Sequence, residues 1–237
     1  MQTAGLPTAR LDVYLPVQNP VPHIINNNNF WVSPERCLYW EEENALIVAD
    51  LHLGKTGHFR KAGIAVPQNI YKADLQRLMA MLYFYKADRL IIVGDFTHSS
   101  MNKELDLFMK WRKDFSLLRI DLVRGNHDIL DMSWYEKANI YVHEKELEIR
   151  GFVFRHESKK NATAKTEIGA YSFTGHVHPG VTIRGTGRQS LHFPCFYFAK
   201  EHCILPAFSR FTGTYTVRAE KGETVYAITP NEIIRFN

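Results

Sequence analysis

The chain has 237 residues, 45% of them hydrophobic, and a formal charge of +4 from 29 basic and 25 acidic side chains. That length and apolar share support one substantial core, expected as a single domain over residues 1–237, and exclude disordered, collagen-like and disulfide-stapled classes. The small positive balance tolerates an anionic partner but lacks the dense basic stripe of a dedicated nucleic-acid binder. The cysteines, Cys37, Cys195 and Cys203, form no C-x-x-C pair, which fits a reducing, cytoplasmic setting better than a zinc ribbon or a disulfide framework. No basic segment followed by an apolar run opens the sequence, and no apolar run reaches the roughly 20 residues that span a bilayer, so no membrane partner is expected.

In chain order, Pro16, Pro20 and Pro22 lead into the run Asn26–Asn29, which reads as a surface loop between two early strands. Short apolar runs then alternate with helical patterns: a strand at Ala45–Ala49, a helix near Pro67–Lys86, a strand at Leu90–Val93, a second helix, and a strand at Ile120–Val123. That order is β-α-β-α-β, the signature of a parallel sheet with crossover helices. The first helix carries Tyr71, Leu75, Leu78, Met79, Leu82 and Tyr85 on one stripe, with Pro67 suited to its first turn. The second carries Leu105, Phe108, Met109 and Phe115; both stripes read as core. From Ile140 the texture is β, with runs at Ile140–Ile149, Phe152–Phe154, Tyr171–Phe173, Val181–Ile183, His192–Phe198, Thr214–Val217 and Thr224–Ile228, interrupted only by a short helix near Leu130–Ala138 just before it. A parallel half followed by a hairpin-rich half predicts two sheets packed face to face with helices outside.

The residues that end these strands form a series: Asp50-Leu51-His52, Gly94-Asp95-Phe96-Thr97-His98, Gly125-Asn126-His127-Asp128, His156, and Gly175-His176-Val177-His178. In open α/β sheets ligands gather beyond the carboxyl ends of the strands, so five polar motifs leaving strands there converge on one crevice. Each motif alone is weak; the ordered set points to a metal site. Imidazole, carboxylate and amide donors without thiolate suit manganese, iron, zinc or nickel. Seven candidate ligands, Asp50, His52, Asp95, Asn126, His156, His176 and His178, are too many for one ion and suit two divalent ions sharing a carboxylate. Two such ions against the carboxylates of Asp50 and Asp95 leave a net positive centre that attracts a phosphodiester.

These motifs resemble the calcineurin-like metallophosphoesterase superfamily, whose series D-x-H, G-D, G-N-H-[DE], H and G-H-x-H is matched from Asp50 to His178. The resemblance implies an α/β fold, a four-layer αββα sandwich of two mixed sheets flanked by helices. It places Asp50, His52, Asp95 and His178 on one ion and Asp95, Asn126, His156 and His176 on the other, with Asp95 bridging. It makes His127 the residue that protonates the leaving group or stabilises the transition state, Asp128 the carboxylate that orients it, and His98 a catalytic histidine beside the scissile phosphate. The series Asp50-Leu51-His52-Leu53-Gly54-Lys55, Phe59-Arg60, Gly63-Ile64 and Pro67, with Pro194-Cys195-Phe196, Leu205-Pro206-Ala207-Phe208 and Phe211-Thr212-Gly213, resembles the ligase-associated DNA damage response endonuclease group (PdeM-like proteins). That likeness spans Asp50 to Val217 and implies a manganese-dependent phosphodiesterase or endonuclease on DNA, with a DNA ligase or helicase as partner. His156 departs from the wider pattern, standing in Phe154-Arg155-His156-Glu157 rather than beside a glycine; His143 is its rival and is expected at the surface.

Lys55, His58, Arg60 and Lys61 follow the first motif and, with Arg124, are candidates for holding substrate phosphates; Lys159, Lys160 and Lys165 could track a nucleic-acid backbone but read better as solvated charge. His23, His192 and His202 belong to no constellation, and Trp31, Trp40, Trp111 and Trp134 are expected to be buried more than to stack on bases. Two other functions stay open: a hydrolase of small nucleotides or other phosphoesters, and a non-catalytic metal-containing module that grips nucleic acid.

Overall fold

The structure, a computed structural model, describes residues 19–55, 63, 70–98, 103–157, 170–185, 189–230 and 232–236. The expectations placed on His58, Arg60, Lys61, Pro67, Lys159, Lys160 and Lys165 therefore lie outside the described residues.

The first sheet takes β1 (Val21–Ile25), β2 (Asn28–Ser33), β3 (Cys37–Trp40), β4 (Ala45–Ala49), β5 (Arg89–Val93), β6 (Arg119–Val123) and β7 (Ile140–His143) in that spatial order. Its first half is an antiparallel meander and its second half, from β4, is parallel. The central strands alternate between two apolar faces. Leu46, Val48, Leu90 and Ile92 join a core under the helices, whereas Ile47, Ala49, Ile91 and Val93 join a core between the sheets. Burial on both faces is why these strands read as unbroken apolar runs.

Crossovers in the parallel half are made by α1 (Ile70–Tyr85), α2 (Lys103–Asp114) and α3 (Met132–Lys137). Leu75, Leu78, Met81 and Leu82 of α1, Leu105, Phe108 and Trp111 of α2, and Trp134 and Tyr135 of α3 all bury against the first sheet. Asp131 caps α3 by accepting from the Ser133 amide at 2.8 Å. None of these helices is long and apolar enough to cross a membrane.

The second sheet runs β14 (Tyr215–Thr216), β11 (Pro179–Arg184), β12 (Ser190–Phe198), β13 (His202–Ile204), β10 (Tyr171–Thr174), β9 (Phe152–Arg155) and β8 (Leu147–Ile149), with β15 (Thr224–Ile228) and β16 (Ile233–Phe236) branching from β12. Between the sheets lies an aromatic core in which Phe30 meets Trp40, Phe152 and Phe173 at centroid distances of 5.5, 5.3 and 5.2 Å. The architecture is the expected pair of mixed sheets with helices outside; among the described residues the α-helices lie on the first sheet.

Other expectations shift locally. The run Ile140–Ile149 is two strands, β7 and β8, that pair into different sheets and are separated by the charged Glu144-Lys145-Glu146. The asparagine run is a tight hairpin turn, with Asn26 and Asn27 in left-handed backbone at φ 48° and 59° and Asn28 already in β2. His143 is half-buried rather than free at the surface; its Nε2 lies 2.9 Å from Asp121 Oδ1, in a network where Arg89 and Arg119 also bond Asp121 at 2.9 and 2.8 Å. Trp40, Trp111 and Trp134 are buried as expected, and all three cysteines are buried and free.

Burial alone would raise the Asp121 carboxyl, but hydrogen bonds from Arg119 and His143 and the charge of Arg89 hold it below the usual carboxylate range. A depressed acid contributes stability that is present above its unfolded pKa and is lost as pH falls through the folded one. Asp121→Asn is therefore expected to cost on the order of 3 kcal/mol at neutral pH, because two arginines lose a buried partner. The gap from wild type should narrow below about pH 4, where the wild-type carboxylate itself protonates. Urea unfolding at pH 7, 5 and 3 measures this, and a gap independent of pH would assign the effect to shape rather than charge.

Candidate metal centre

The site forms where β4, β5 and β6 of the first sheet and β9 and β10 of the second end together. The loops leaving them are tied by backbone bonds: Asp50 N to Gly94 O at 3.1 Å, His52 N to Asp95 O at 2.9 Å, Leu53 N to Phe96 O at 2.9 Å, His98 N to Leu53 O at 2.9 Å, and Gly175 N to His156 O at 3.1 Å. Five of the seven expected ligands sit in left-handed backbone: Asp50 (φ 53°), His52 (50°), Asp95 (47°), His176 (66°) and His178 (50°). Non-glycine residues rarely adopt this conformation. Here it turns each chain off its strand so that the side chain enters the crevice, and such strain gathers at functional sites.

All seven expected ligands converge. Asp50, His52 and His178 form one group of donors and Asp95, His156 and His176 a second. His52 Nε2 faces His178 Nε2 at 3.4 Å, and His178 Nε2 lies 3.6 Å from Asp50 Oδ1. In the second group His176 Nδ1 faces His156 Nε2 at 3.2 Å, and His156 Nε2 lies 3.0 Å from Asn126 Oδ1 and 3.3 Å from Asp95 Oδ1. Asp95 stands between the groups, its Oδ2 being 4.0 Å from His52 Nε2.

This arrangement fits divalent ions. Ligand bonds of about 2.1 Å set at angles near 90–110° place neighbouring donor atoms roughly 3.0–3.5 Å apart, the spacing of the paired nitrogens here. Two neutral imidazoles aimed at each other through ring nitrogens otherwise share at most one proton. Burial, together with the charges of Lys55 and His178, pushes His52 far below the usual histidine range despite Asp95, keeping its lone pair free. Burial opposes ionisation of Asp95, but the hydrogen bond and charge of His156, the His127 amide and His52 together outweigh it and hold its carboxyl below the usual carboxylate range. His156 Nδ1 is turned to Val93 O at 3.5 Å, a backbone contact of the kind that fixes a ligand's ring orientation.

Two glycines make the convergence possible. A side chain at Gly94, whose φ is +75°, would place Cβ 1.9 Å from His156 Nδ1, and one at Gly125 would place Cβ 2.2 Å from the Asp95 amide nitrogen. The first contact lets a histidine of the second sheet lie directly on the first.

Of the expected catalytic residues, His127 and His98 lie at the rim, whereas Asp128 is buried. His127 is 41% exposed, with Nε2 4.0 Å from Asp95 Oδ2 and its ring 4.6 Å from that of His98 and 5.5 Å from that of His52. Its amide donates to Asp95 Oδ1 at 3.0 Å. The expectation for Asp128 needs correcting: its carboxylate does not meet the His127 ring but accepts from Thr97 N at 2.8 Å, Thr97 Oγ1 at 3.1 Å and Gly125 N at 2.9 Å. Burial raises its carboxyl above the usual range against the pull of those amides. Asp128 thus locks the β5 loop to the β6 loop and positions His127 through the backbone.

Arg124 also departs from expectation. Its Nε donates to Asp128 O at 2.9 Å and its Nη1 to Glu144 at 3.1 Å, so it braces the same loop. Lys55 is half-buried beside the centre; burial lowers its pKa while Asp50 and Asp95 raise it. Two residues of the motif strings have no role in the sequence reading: Thr97, which only the folded loop pairs with Asp128, and Glu157, whose Oε1 lies 3.9 Å from His176 Nε2. Its place directly after His156 was the available signal.

Gly94→Ala is expected to destabilise the protein by more than the ~1–3 kcal/mol of a left-handed alanine, because the added methyl must also expel the His156 ring. Thermal unfolding and manganese affinity should fall together; an unchanged affinity would mean that His156 does not hold an ion.

A model of the Calcineurin-like phosphoesterase family matches residues 44–192. Among solved structures, the nuclease MPE of Pseudomonas putida is 28% identical with a TM-score of 0.76, the match covering 91% of this chain and 100% of that one. The protein of unknown function AQ665 from Aquifex aeolicus is 19% identical over 61% of this chain and 82% of that one, with a TM-score of 0.39. Yfce, a phosphoesterase from E. coli, is 14% identical over 81% and 97%, with a TM-score of 0.43. No curated protein matches. With the family match extending over more than half its length and the motif series converging as that family requires, the chain belongs to the calcineurin-like phosphoesterases.

Proposed function

We propose that this phosphoesterase is a two-metal nuclease that hydrolyses phosphodiester bonds in DNA, with manganese as the working ion. The observation that carries the reading is the pair of donor groups on either side of Asp95, with an exposed histidine at their edge. Asp50, His52 and His178 would hold one ion, His156, His176 and Asn126 the other, and Asp95 would reach both. Divalent ions bound there supply a water of lowered pKa and neutralise charge on the phosphate oxygens. His127 sits where it can give a proton to the departing oxygen, a contribution of about 10² to 10⁴-fold, and His98 flanks it. Asp128 and Arg124 hold their loop still.

Two further observations support a polymeric substrate. The Pseudomonas putida protein that aligns over its whole length is a nuclease. A long hairpin also rises from beside the crevice. Tyr197 pairs with Ile204, which is level with Thr174 at the end of β10, so the β11–β12 hairpin rises roughly 20 Å past the strand ends. Phe196 and Phe198 face the inter-sheet core, and the same face of the hairpin continues upward through His192. The His192 ring bridges Thr182 at 3.0 Å and Thr214 at 2.7 Å. Thr182, Arg184, His192, Thr214 and Thr216 are all exposed, giving hydroxyl and cationic donors suited to a phosphate backbone.

The test compares wild type with His127→Ala on bis-p-nitrophenyl phosphate and on DNA oligonucleotides with manganese. A loss of kcat of about 10²-fold or more is expected, with both ions still bound. Equal rates would remove the proposed proton donor, and metal binding with no turnover by either protein would favour a non-catalytic module. Arg184→Ala should raise KM severalfold for an oligonucleotide relative to the small diester; a panel in which small nucleotides alone are cleaved would overturn the DNA assignment.

A further inference from the structure

The metal groups are not the only buried charges. On α1, Asp74 and Arg77 are 7% and 4% exposed and paired at 3.0 Å. Neither touches the candidate ligands. Both instead meet the segment after β13, which carries the Leu205-Pro206-Ala207-Phe208 run singled out in the sequence but unused by the chemistry above.

Successive carbonyls of that segment are taken by arginines. Arg36 Nη1, from the β2–β3 turn, donates to Ala207 O at 3.3 Å and to Ser209 O at 2.9 Å. Arg77 Nη2 donates to Phe208 O, and its guanidinium lies 4.2 Å over the Phe208 ring. The carboxylates complete the frame: Asp74 Oδ2 accepts from the Arg210 amide at 3.3 Å, and Glu35 Oε2 lies 3.0 Å from Arg210 Nη2 and 3.7 Å from Arg77 Nε. A guanidinium is suited to this because its planar fork reaches several acceptors at once while stacking on a ring.

The other edge of the segment faces the metal centre. Ala207 forms a parallel bridge with Ala49, Phe208 N donates to Ala49 O at 2.8 Å, and Ser209 N donates to Asp50 O at 3.3 Å. Asp50 is the fully buried candidate ligand whose φ of 53° turns it off β4. Its carboxylate accepts from the His176 amide at 3.0 Å and faces His178.

We infer that Arg36, Arg77 and Asp74 are positioning residues that hold Asp50 in its metal-binding conformation through the clamp formed by residues 207–209. The two arginines fix the carbonyls of the clamp, and the amides of the clamp fix the carbonyls of Ala49 and Asp50. One face of the segment is thus pinned to buried charge and the other aims a ligand. The inference rests on the two-metal reading and adds an asymmetry to it. The clamp bonds directly to Asp50, of the group with His52 and His178, and reaches the second group only through the bond from the His176 amide to the Asp50 carboxylate.

Arg77→Lys keeps the charge beside Asp74 but loses the fork and the stacked plane. Stepwise manganese affinity, read by equilibrium dialysis and elemental analysis on folded protein, should weaken about tenfold or more at one ion and clearly less at the other. That ion should be the one that His178→Ala removes. Arg36→Gln, at the less buried corner, should act in the same direction and decides the matter if Arg77→Lys does not fold, while Arg36→Lys should partly restore affinity. A merely structural role would lower thermal stability without favouring one ion. Folded variants that bind both ions as wild type does, or that lose both equally, would overturn the clamp. Wild type that binds no manganese would instead overturn the metal centre, and the clamp with it.

Discussion

Crowding of electron-rich atoms into one buried crevice is the constraint on which this structure turns. Imidazole nitrogens meet at 3.2 and 3.4 Å, two carboxylates lie among them, and five of the contributing residues adopt backbone that costs about 1–3 kcal/mol each. Such a cluster is tolerable only where positive charge joins it and the backbone has nowhere else to go. The second condition is met within the chain itself. The loops bond one another amide to carbonyl, and the carboxylates serve twice, since Asp50 also accepts from the His176 amide and Asp95 from the His127 amide. Each therefore fixes a neighbouring motif as well as offering oxygen to an ion.

The two sheets contribute unequally and inseparably. The first supplies Asp50, His52, Asp95 and Asn126 on local β-α-β connections, and the second supplies His156, His176 and His178. Their relative placement is set by the apolar layer between them, where Phe30, Trp40, Phe152 and Phe173 interlock, and by the bare backbone of Gly94 beneath His156. A shift of one sheet against the other by a fraction of an ångström would separate the donor groups, because close-packed interiors move between discrete arrangements rather than deforming smoothly. Metal affinity is thereby coupled to the packing of a core that contains no polar ligand.

Legibility of these features in the sequence followed the range of the interactions behind them. The strand-end motifs were readable because each is a local string whose residue types already state their chemistry, and the apolar runs of β4, β5 and β6 because burial on both faces leaves a simple pattern. The division of Ile140–Ile149 was not readable: both halves are β-prone, and only the choice of partner strand separates them. β13 and β16, at His202–Ile204 and Ile233–Phe236, are short and take their conformation from neighbours. The left-handed turns at Asp50, His52, Asp95, His176 and His178 left no glycine to announce them. His143 could not be placed because its partner, Asp121, is defined by strand register alone.

Adjacent residues of the β6 loop show why a motif resists division into catalytic and structural parts. His127 points outward, while Asp128 points inward to Thr97 and the Gly125 amide, so a pair read from the sequence as acid and orienting carboxylate works through different atoms. In the proposed mechanism the imidazole needs freedom to meet a substrate and move a proton, and the loop beneath it needs to be rigid so that the ring stays within reach of Asp95. A carboxylate bonded to the imidazole would serve the first need directly but leave the loop unbraced. One that bonds two loops together, with Arg124 closing the turn from outside, gives the histidine a fixed base and an unencumbered ring. The same division recurs at β4, where Asp50 faces the crevice while its own carbonyl is held by Ser209, from the segment that bridges β4 at Ala49.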